Sequence, residues 1–178
     1  MAENEFPNWI RGIDIIVGIL SVTTAFLIII ESIYYRIFLI LVLVFSVMAI
    51  GIARVARAGA AKSKGLPRRA VNLVGGLTVI IIAGILFVVP GLSEAYMIQL
   101  ISIAWIVLGL TRLIIGILET EVDKKLRILQ VIIGLFTISV AFVIEIIPNV
   151  DLLLALTFLG SIVGVNGLAR MARSYSKV

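Results

Sequence analysis

Six arginines occupy two recurring positions in this chain. Arg11, Arg69 and Arg127 lie 58 residues apart, and so do Arg54, Arg112 and Arg170. Three residues after the first set stand Asp14, Asn72 and Gln130, and four residues further on Gly18, Gly76 and Gly134. On a helix this i, i+3, i+7 spacing stacks a charge, a polar group and a glycine on one face. A guanidinium presents paired donors that match phosphate oxygens, so a ring of arginines at one end of a helical bundle points to binding of a phosphate-bearing lipid or another anion. The structural alternative is that Arg11, Arg69 and Arg127 anchor helix starts at the membrane interface while Arg54, Arg112 and Arg170 cap helix ends and complement the helix dipole. Asp14 would then pair with Arg11 or Arg54, and Asn72 and Gln130 would serve a neighbouring arginine across the hairpin. Repetition in three copies favours this scaffold reading, because a functional site usually breaks the symmetry it sits on.

No other chemistry is indicated. The chain has no cysteine and no histidine, which removes the usual ligands of zinc, haem and iron–sulfur centres and the commonest general base. No cluster of nucleophile, acid and base is visible, so no catalytic, cofactor-binding or metal-binding residue is assigned and no enzyme is expected. Acids inside a membrane are functional candidates by default. A proton path would need titratable groups along the middle of the spans, however, and the polar residues there, Ser21, Thr23, Thr24, Ser102, Thr137 and Ser139, can each satisfy themselves on their own helix. Glu145, three residues before Pro148, is expected to snorkel to the nearer interface.

The elements that position these residues follow from composition. At 62% hydrophobic and 14% charged, with a mean hydropathy of +1.25, the 178-residue chain belongs in lipid. A hydrocarbon core of about 30 Å needs roughly 20 apolar residues per helix. Six stretches qualify, at 9–31, 36–56, 69–89, 95–117, 127–147 and 151–172. The first is read as a retained span, since Glu3 and Glu5 precede it where a signal peptide would carry basic residues. The 58-residue offset makes three tandem units of about 9–66, 67–124 and 125–178, each an up-and-down hairpin, with Ser32, Pro90 and Pro148 at the outer end of the first helix. Two spans return each unit to its starting side. The expected fold is therefore an all-α membrane domain of six helices in a pseudo-threefold bundle, its units related by an axis along the membrane normal rather than by inversion.

Fourteen of the fifteen lysines and arginines fall on the side of the termini, with Arg36 alone opposite, so the positive-inside rule places both termini in the cytoplasm and the chain in the inner or plasma membrane. Tyr34, Tyr35 and Tyr96 suit an aromatic belt at the outer interface, near Glu31, Glu94, Glu145 and Asp151. The stretch from Arg57 to Arg69 holds five basic residues and no acid, and is read as a linker lying on an anionic leaflet. Topology accounts for the basic excess, so nucleic acid is not an expected partner.

Gly18, Gly51, Gly76, Gly109, Gly134 and Gly167 are read as points of close helix approach, because small residues let backbones meet where lipid gives no hydrophobic drive. Gly160-x-x-x-Gly164 extends this set in the last helix. That helix, the most polar of the six, is expected to be central or to face a partner subunit.

With Gly near the start of each first helix, Pro90 and Pro148 at the outer turns, and Gly51-x-x-Arg54, Gly109-x-x-Arg112 and Gly167-x-x-Arg170 closing each second helix, residues 9–173 resemble the short-repeat membrane family that includes the HdeD acid-resistance protein. Ser32 departs from the pattern where proline is expected. The resemblance implies a six-span bacterial or archaeal inner-membrane protein, a link to stress, and no established catalytic residues. The expected function is a non-enzymatic membrane protein acting through interaction, as a stress-associated protein or an accessory subunit of a membrane complex. Its partners would be membrane lipids, anionic ones included, and either further copies of itself or other membrane subunits. The alternative is a small channel or transporter for an anion, a lipid or protons.

Overall fold

The computed structural model describes residues 8–31, 36–60, 66–89, 91–118, 124–147 and 151–175, with backbone only for Asn8, Glu31, Arg36 and 173–175. Ser32, Tyr34, Tyr35, Pro90, Pro148 and the centre of the basic linker, 61–65, lie outside the described residues. Six α-helices account for nearly all the rest: α1 (Asn8–Glu31), α2 (Arg36–Ala60), α3 (Leu66–Val88), α4 (Glu94–Leu118), α5 (Lys124–Ile146) and α6 (Leu152–Tyr175). Each contains a span long and apolar enough to cross a membrane, so the chain is a multi-pass helical membrane protein. The backbone logic is that of lipid: a helix satisfies every N–H and C=O within itself, where no water is available to do so. The first helices of the three units begin at 8, 66 and 124 and the second at 36, 94 and 152, each series spaced by 58 residues.

The helices sort into two layers. Helices α2, α4 and α6 touch one another, whereas α1, α3 and α5 make no mutual contact among the described residues and lie outside them. Burial follows: 56% of the apolar window is buried in α2 and in α4, against 33% in α3 and in α5. The inner helices meet along an i, i+4, i+7 seam. Leu43, Val47 and Ile50 of α2 stand level with Ile101, Trp105 and Leu108 of α4 and with Leu159, Val163 and Asn166 of α6, all nearly or fully buried. The exposed apolar side chains, such as Phe26, Phe38, Phe45, Ile81, Ile132 and Phe142, belong mainly to lipid-facing surfaces.

Each outer helix packs most extensively on the inner helix of the preceding unit, not on its own hairpin partner: α3 on α2, α5 on α4, and α1 on α6, which brings the two ends of the chain together. Glycine pairs explain this choice. A methyl group placed on Gly76 would lie 2.9 Å from the carbonyl oxygen of Gly51, one on Gly109 3.0 Å from that of Gly134, and one on Gly167 2.8 Å from that of Gly18. Backbone meets backbone at these three places, and a side chain at either residue would hold the helices apart. Gly160 and Gly164 pack against Ile28 and Ala25 of α1. They extend the α1–α6 seam, and α6 itself stands among the inner helices, in contact with α2 and α4.

The basic linker is also shorter than expected. Helix α2 runs on to Ala60 and α3 starts at Leu66, so Arg57, Arg68 and Arg69 are helical. Gly91, just beyond α3, has φ of +86°, a left-handed conformation that glycine adopts without the cost of a Cβ.

Candidate functional site

The sequence-marked polar residues gather at the end of the bundle where α1, α3 and α5 begin and α2, α4 and α6 finish. Arg54, Arg112 and Arg170 are the next residues along the inner seam, four positions beyond Ile50, Leu108 and Asn166, so the register that buries those residues turns the arginines inward as well. They are only 4%, 8% and 3% exposed. Arg54 and Arg112 each precede the last residue of their helix by six positions, a depth of about 9 Å at 1.5 Å per residue. All three line one cavity of about 30 Å³, together with Arg57, Asn72 and Gln130 and an apolar rim that includes Ile115, Leu129 and Ile133. Arg54 does not cap the end of its own helix. Arg54 instead donates from Nη2 to the Leu108 carbonyl of α4, 3.0 Å away and well inside that helix.

Arg69 and Arg127, of the other set, reach helix ends. Arg69 donates through Nε to the Ala58 carbonyl at 3.2 Å, and Arg127 donates through Nε to Gly116 and through Nη2 to Ile117, both at 3.3 Å. These acceptors are among the last carbonyls of α2 and α4, which have no partner within their own helix and sit at its negative end. Arg69 and Arg127 thus each stand in the first turn of one helix and close the preceding one. Replacing Arg127 with glutamine should lower stability by only about 0.5–1 kcal/mol, because the bonds are long and partly hydrated. Thermal unfolding in detergent would check this, and a loss as large as that expected below for Asp14 would contradict it.

Asp14, 8% exposed, joins three helices. Arg57 of α2 donates through Nε to Oδ2 at 3.1 Å and its Nη2 contacts Oδ1, a two-point grip on the carboxylate. Arg170 of α6 donates through Nη1 to Oδ1 at 3.3 Å. Arg57 and Arg170 were not among the expected partners, Arg11 and Arg54: the guanidinium of Arg57 reaches the carboxylate because α1 lies between α2 and α6. Arg57 was missed as a site residue when it was assigned to the linker. Its signal was its position three residues after Arg54, which on a helix puts it beside that residue. At the corresponding place on α3, Asn72 donates through Nδ2 to the Arg68 carbonyl of its own helix at 3.1 Å rather than across the hairpin. Gln130 on α5 is 9% exposed and faces the same cavity. Arg11 is half-buried at the start of α1 and does not line it.

Away from this end the polar groups serve helix packing. Ser21 and Thr137 donate to carbonyls four residues back on their own helices, at 2.8 and 2.7 Å. Thr137 also accepts from Asn166 of α6 at 3.0 Å. Glu145 does not simply reach for the interface. It is half-buried and contacts the hydroxyl of Ser102, so it ties α5 to α4.

The fold and this site define a class: a six-helix membrane protein with an apolar core and a buried cluster of guanidinium groups at its basic end. Comparison with family models, curated proteins and solved structures found no match to the chain, so the resemblance to the HdeD-containing family rests on the residues that carry it.

Proposed function

We propose that this chain is a non-enzymatic protein of the inner or plasma membrane, with cytoplasmic termini, that works by binding and association rather than by moving a solute. It would act as a stress-associated protein or as an accessory subunit of a membrane complex. The observation that carries this reading is the closure of the inner seam beyond the arginines and the level of Ile50, Leu108 and Asn166. Val47, Trp105 and Val163 stand two helical turns, about 10 Å, from Arg54, Arg112 and Arg170, and are at most 2% exposed. Leu43, Ile101 and Leu159 form a further layer with no exposure at all. A charged cavity that ends on two apolar layers supports a receptor open from one side, whereas a conduction path would need polar groups or water across them.

Purified protein in liposomes tests the reading. No uptake of phosphate, chloride or protons above protein-free vesicles is expected, while the particle extracted in mild detergent should run in native mass spectrometry as a homo-oligomer or with other membrane subunits. Solute flux would overturn it in favour of a channel or transporter.

A further inference from the structure

We propose that the groove between the end of α4 and the start of α5 holds a membrane glycerophospholipid, with one acyl chain in the groove and the phosphodiester at its mouth. The site is separate from the arginine cavity and stands independently of the reading above.

Shape is the first argument. The groove encloses about 300 Å³, at the lower end of the range for ligand pockets. Its base is Gly116 of α4 against Val131 of α5: a methyl group added at Gly116 would lie 2.9 Å from Cγ2 of Val131, so the helices touch there. Ile117, Ile128 and Ile132 flank this base and are exposed, so the groove opens toward lipid. Arg127 braces the two helix ends through its bonds to the Gly116 and Ile117 carbonyls, which fixes their spacing. Lipid tails are as apolar as these walls, so there is no hydrophobic drive to fill the groove. Contact favours a chain instead, because an unfilled groove forfeits dispersion attraction along its walls.

Depth is the second argument. From Lys124 to Ile132 is about 12 Å along α5 at 1.5 Å per residue. One leaflet of a hydrocarbon core of about 30 Å is about 15 Å deep. A lipid with its phosphate level with Lys124 therefore keeps its chain beside the groove for most of that leaflet.

Charge at the mouth narrows the ligand. Lys124, which is exposed, and Arg127 line the groove beside the apolar walls. A lysine stem can lie along apolar surface while its ammonium stays at headgroup level. At the 58-residue offset Lys124 is matched by Leu66 on α3 and Asn8 on α1, and Ile128 by Ala70 and Gly12. This lysine and isoleucine belong to the α4–α5 seam alone, and so depart from the pattern that the three units share. The connection into α5 carries Glu119, Glu121 and Asp123, outside the described residues, against Lys124, Lys125 and Arg127. Charge in this stretch is balanced, so the phosphate finds a cation while a second negative charge on the headgroup gains nothing.

The test uses the full chain in detergent with defined lipids, read by native mass spectrometry. Dioleoyl phosphatidylethanolamine should be retained, and dioleoylglycerol, which has the same chains and no phosphate, should not. Dioleoyl phosphatidylglycerol should compete about equally with the ethanolamine lipid. Lys124→Gln, at an exposed position, should fold and weaken retention by about fivefold, the effect of one cation near a headgroup. Location is read separately on the wild type. Phosphatidylethanolamine with a diazirine in its acyl chain should label residues 128–132 well above the matching stretch 70–74 on α3. Equal labelling of the two stretches, equal retention of dioleoylglycerol, a strong preference for phosphatidylglycerol, or unchanged retention in Lys124→Gln would overturn the site.

Discussion

Replacing Gly167 with leucine should be the most damaging single change on the α1–α6 seam, costing about 3 kcal/mol or more and leaving much of the protein unable to assemble. Even a methyl group at this position would lie 2.8 Å from the carbonyl oxygen of Gly18, 2.9 Å from Cβ of Ser21 and 3.0 Å from a methyl of Val22. A backbone oxygen cannot rotate away as a side chain can, so α1 and α6 must separate along their length. Overpacking in well-packed cores typically costs 1–3 kcal/mol, and here the displaced object is a whole helix. The partner position should be more forgiving to alanine. At Gly18 the nearest atom is Cγ of Met171, a flexible side chain, with the Gly167 oxygen at 3.1 Å. Gly84 has nothing within 4 Å, so Gly84→Leu serves as the control and should stay within about 0.5 kcal/mol of wild type. Unfolding by SDS titration or heat in detergent reads all three. Equal loss at Gly84 and Gly167 would mean that the glycine contact does not hold the seam.

Asp14→Ala should cost about 3 kcal/mol, more than any other removal of a polar side chain described above. Deleting one member of a buried ion pair leaves the remaining charge uncompensated, a change usually worth 3–5 kcal/mol. Two arginines are affected, Arg57 from α2 and Arg170 from α6, and the Arg170 side chain is only 2% exposed. Asp14→Asn should fall between, since an amide oxygen still accepts a hydrogen bond but brings no charge. The interaction is separable by a double-mutant cycle. Asp14→Asn combined with Arg57→Gln should recover much of the loss, because both charges then leave together. Strict additivity of the two single losses would rule out the pairing as the source of the effect.

Residues 8–31 and 152–175 contain Gly18 with Gly167 and Asp14 with Arg170, although they stand at opposite ends of the chain; the other partner of Asp14, Arg57, is on α2. Closing α6 onto α1 therefore completes the bundle with long-range contacts, while the α2–α3 and α4–α5 seams join neighbours in sequence. Losses at Gly167 or Asp14 should accordingly open the α1–α6 seam first. Hydrogen exchange would show this as deprotection of α1 and α6 ahead of α3 and α4.

Much of the candidate site was visible in the residue types, and its arrangement was partly recoverable. The six arginines, Asp14, Asn72, Gln130 and Gly18, Gly51, Gly76, Gly109, Gly134 and Gly167 were all marked by their common offset. The inward direction of Arg54 could have been read as well. It follows Leu43, Val47 and Ile50 at intervals of eleven, seven and four, so a helix that buries those three must bury the arginine. That signal was outweighed by the reading of Arg54 as the cap of its own helix end. Arg57 was lost for a different reason: the helix boundary had been drawn at residue 56, and four more helical residues changed an assumed linker cation into a core ligand of Asp14.

Taken by itself, the sequence determined that six helices cross a membrane, roughly where each begins and ends, and which residues are equivalent among them. Lipid makes those properties one-dimensional, because each span must be apolar for about 20 residues and must satisfy its own backbone. The tertiary structure alone decided which helices share a glycine seam, that Arg69 and Arg127 close the helix before them, and that Arg54, Arg112 and Arg170 meet in one cavity. A 58-residue period states which positions correspond, but it says nothing about whether a helix joins its hairpin partner or the neighbouring unit. Helix association in lipid rests on shape and on the few polar groups that must find each other, and both are settled only when all six helices are in place.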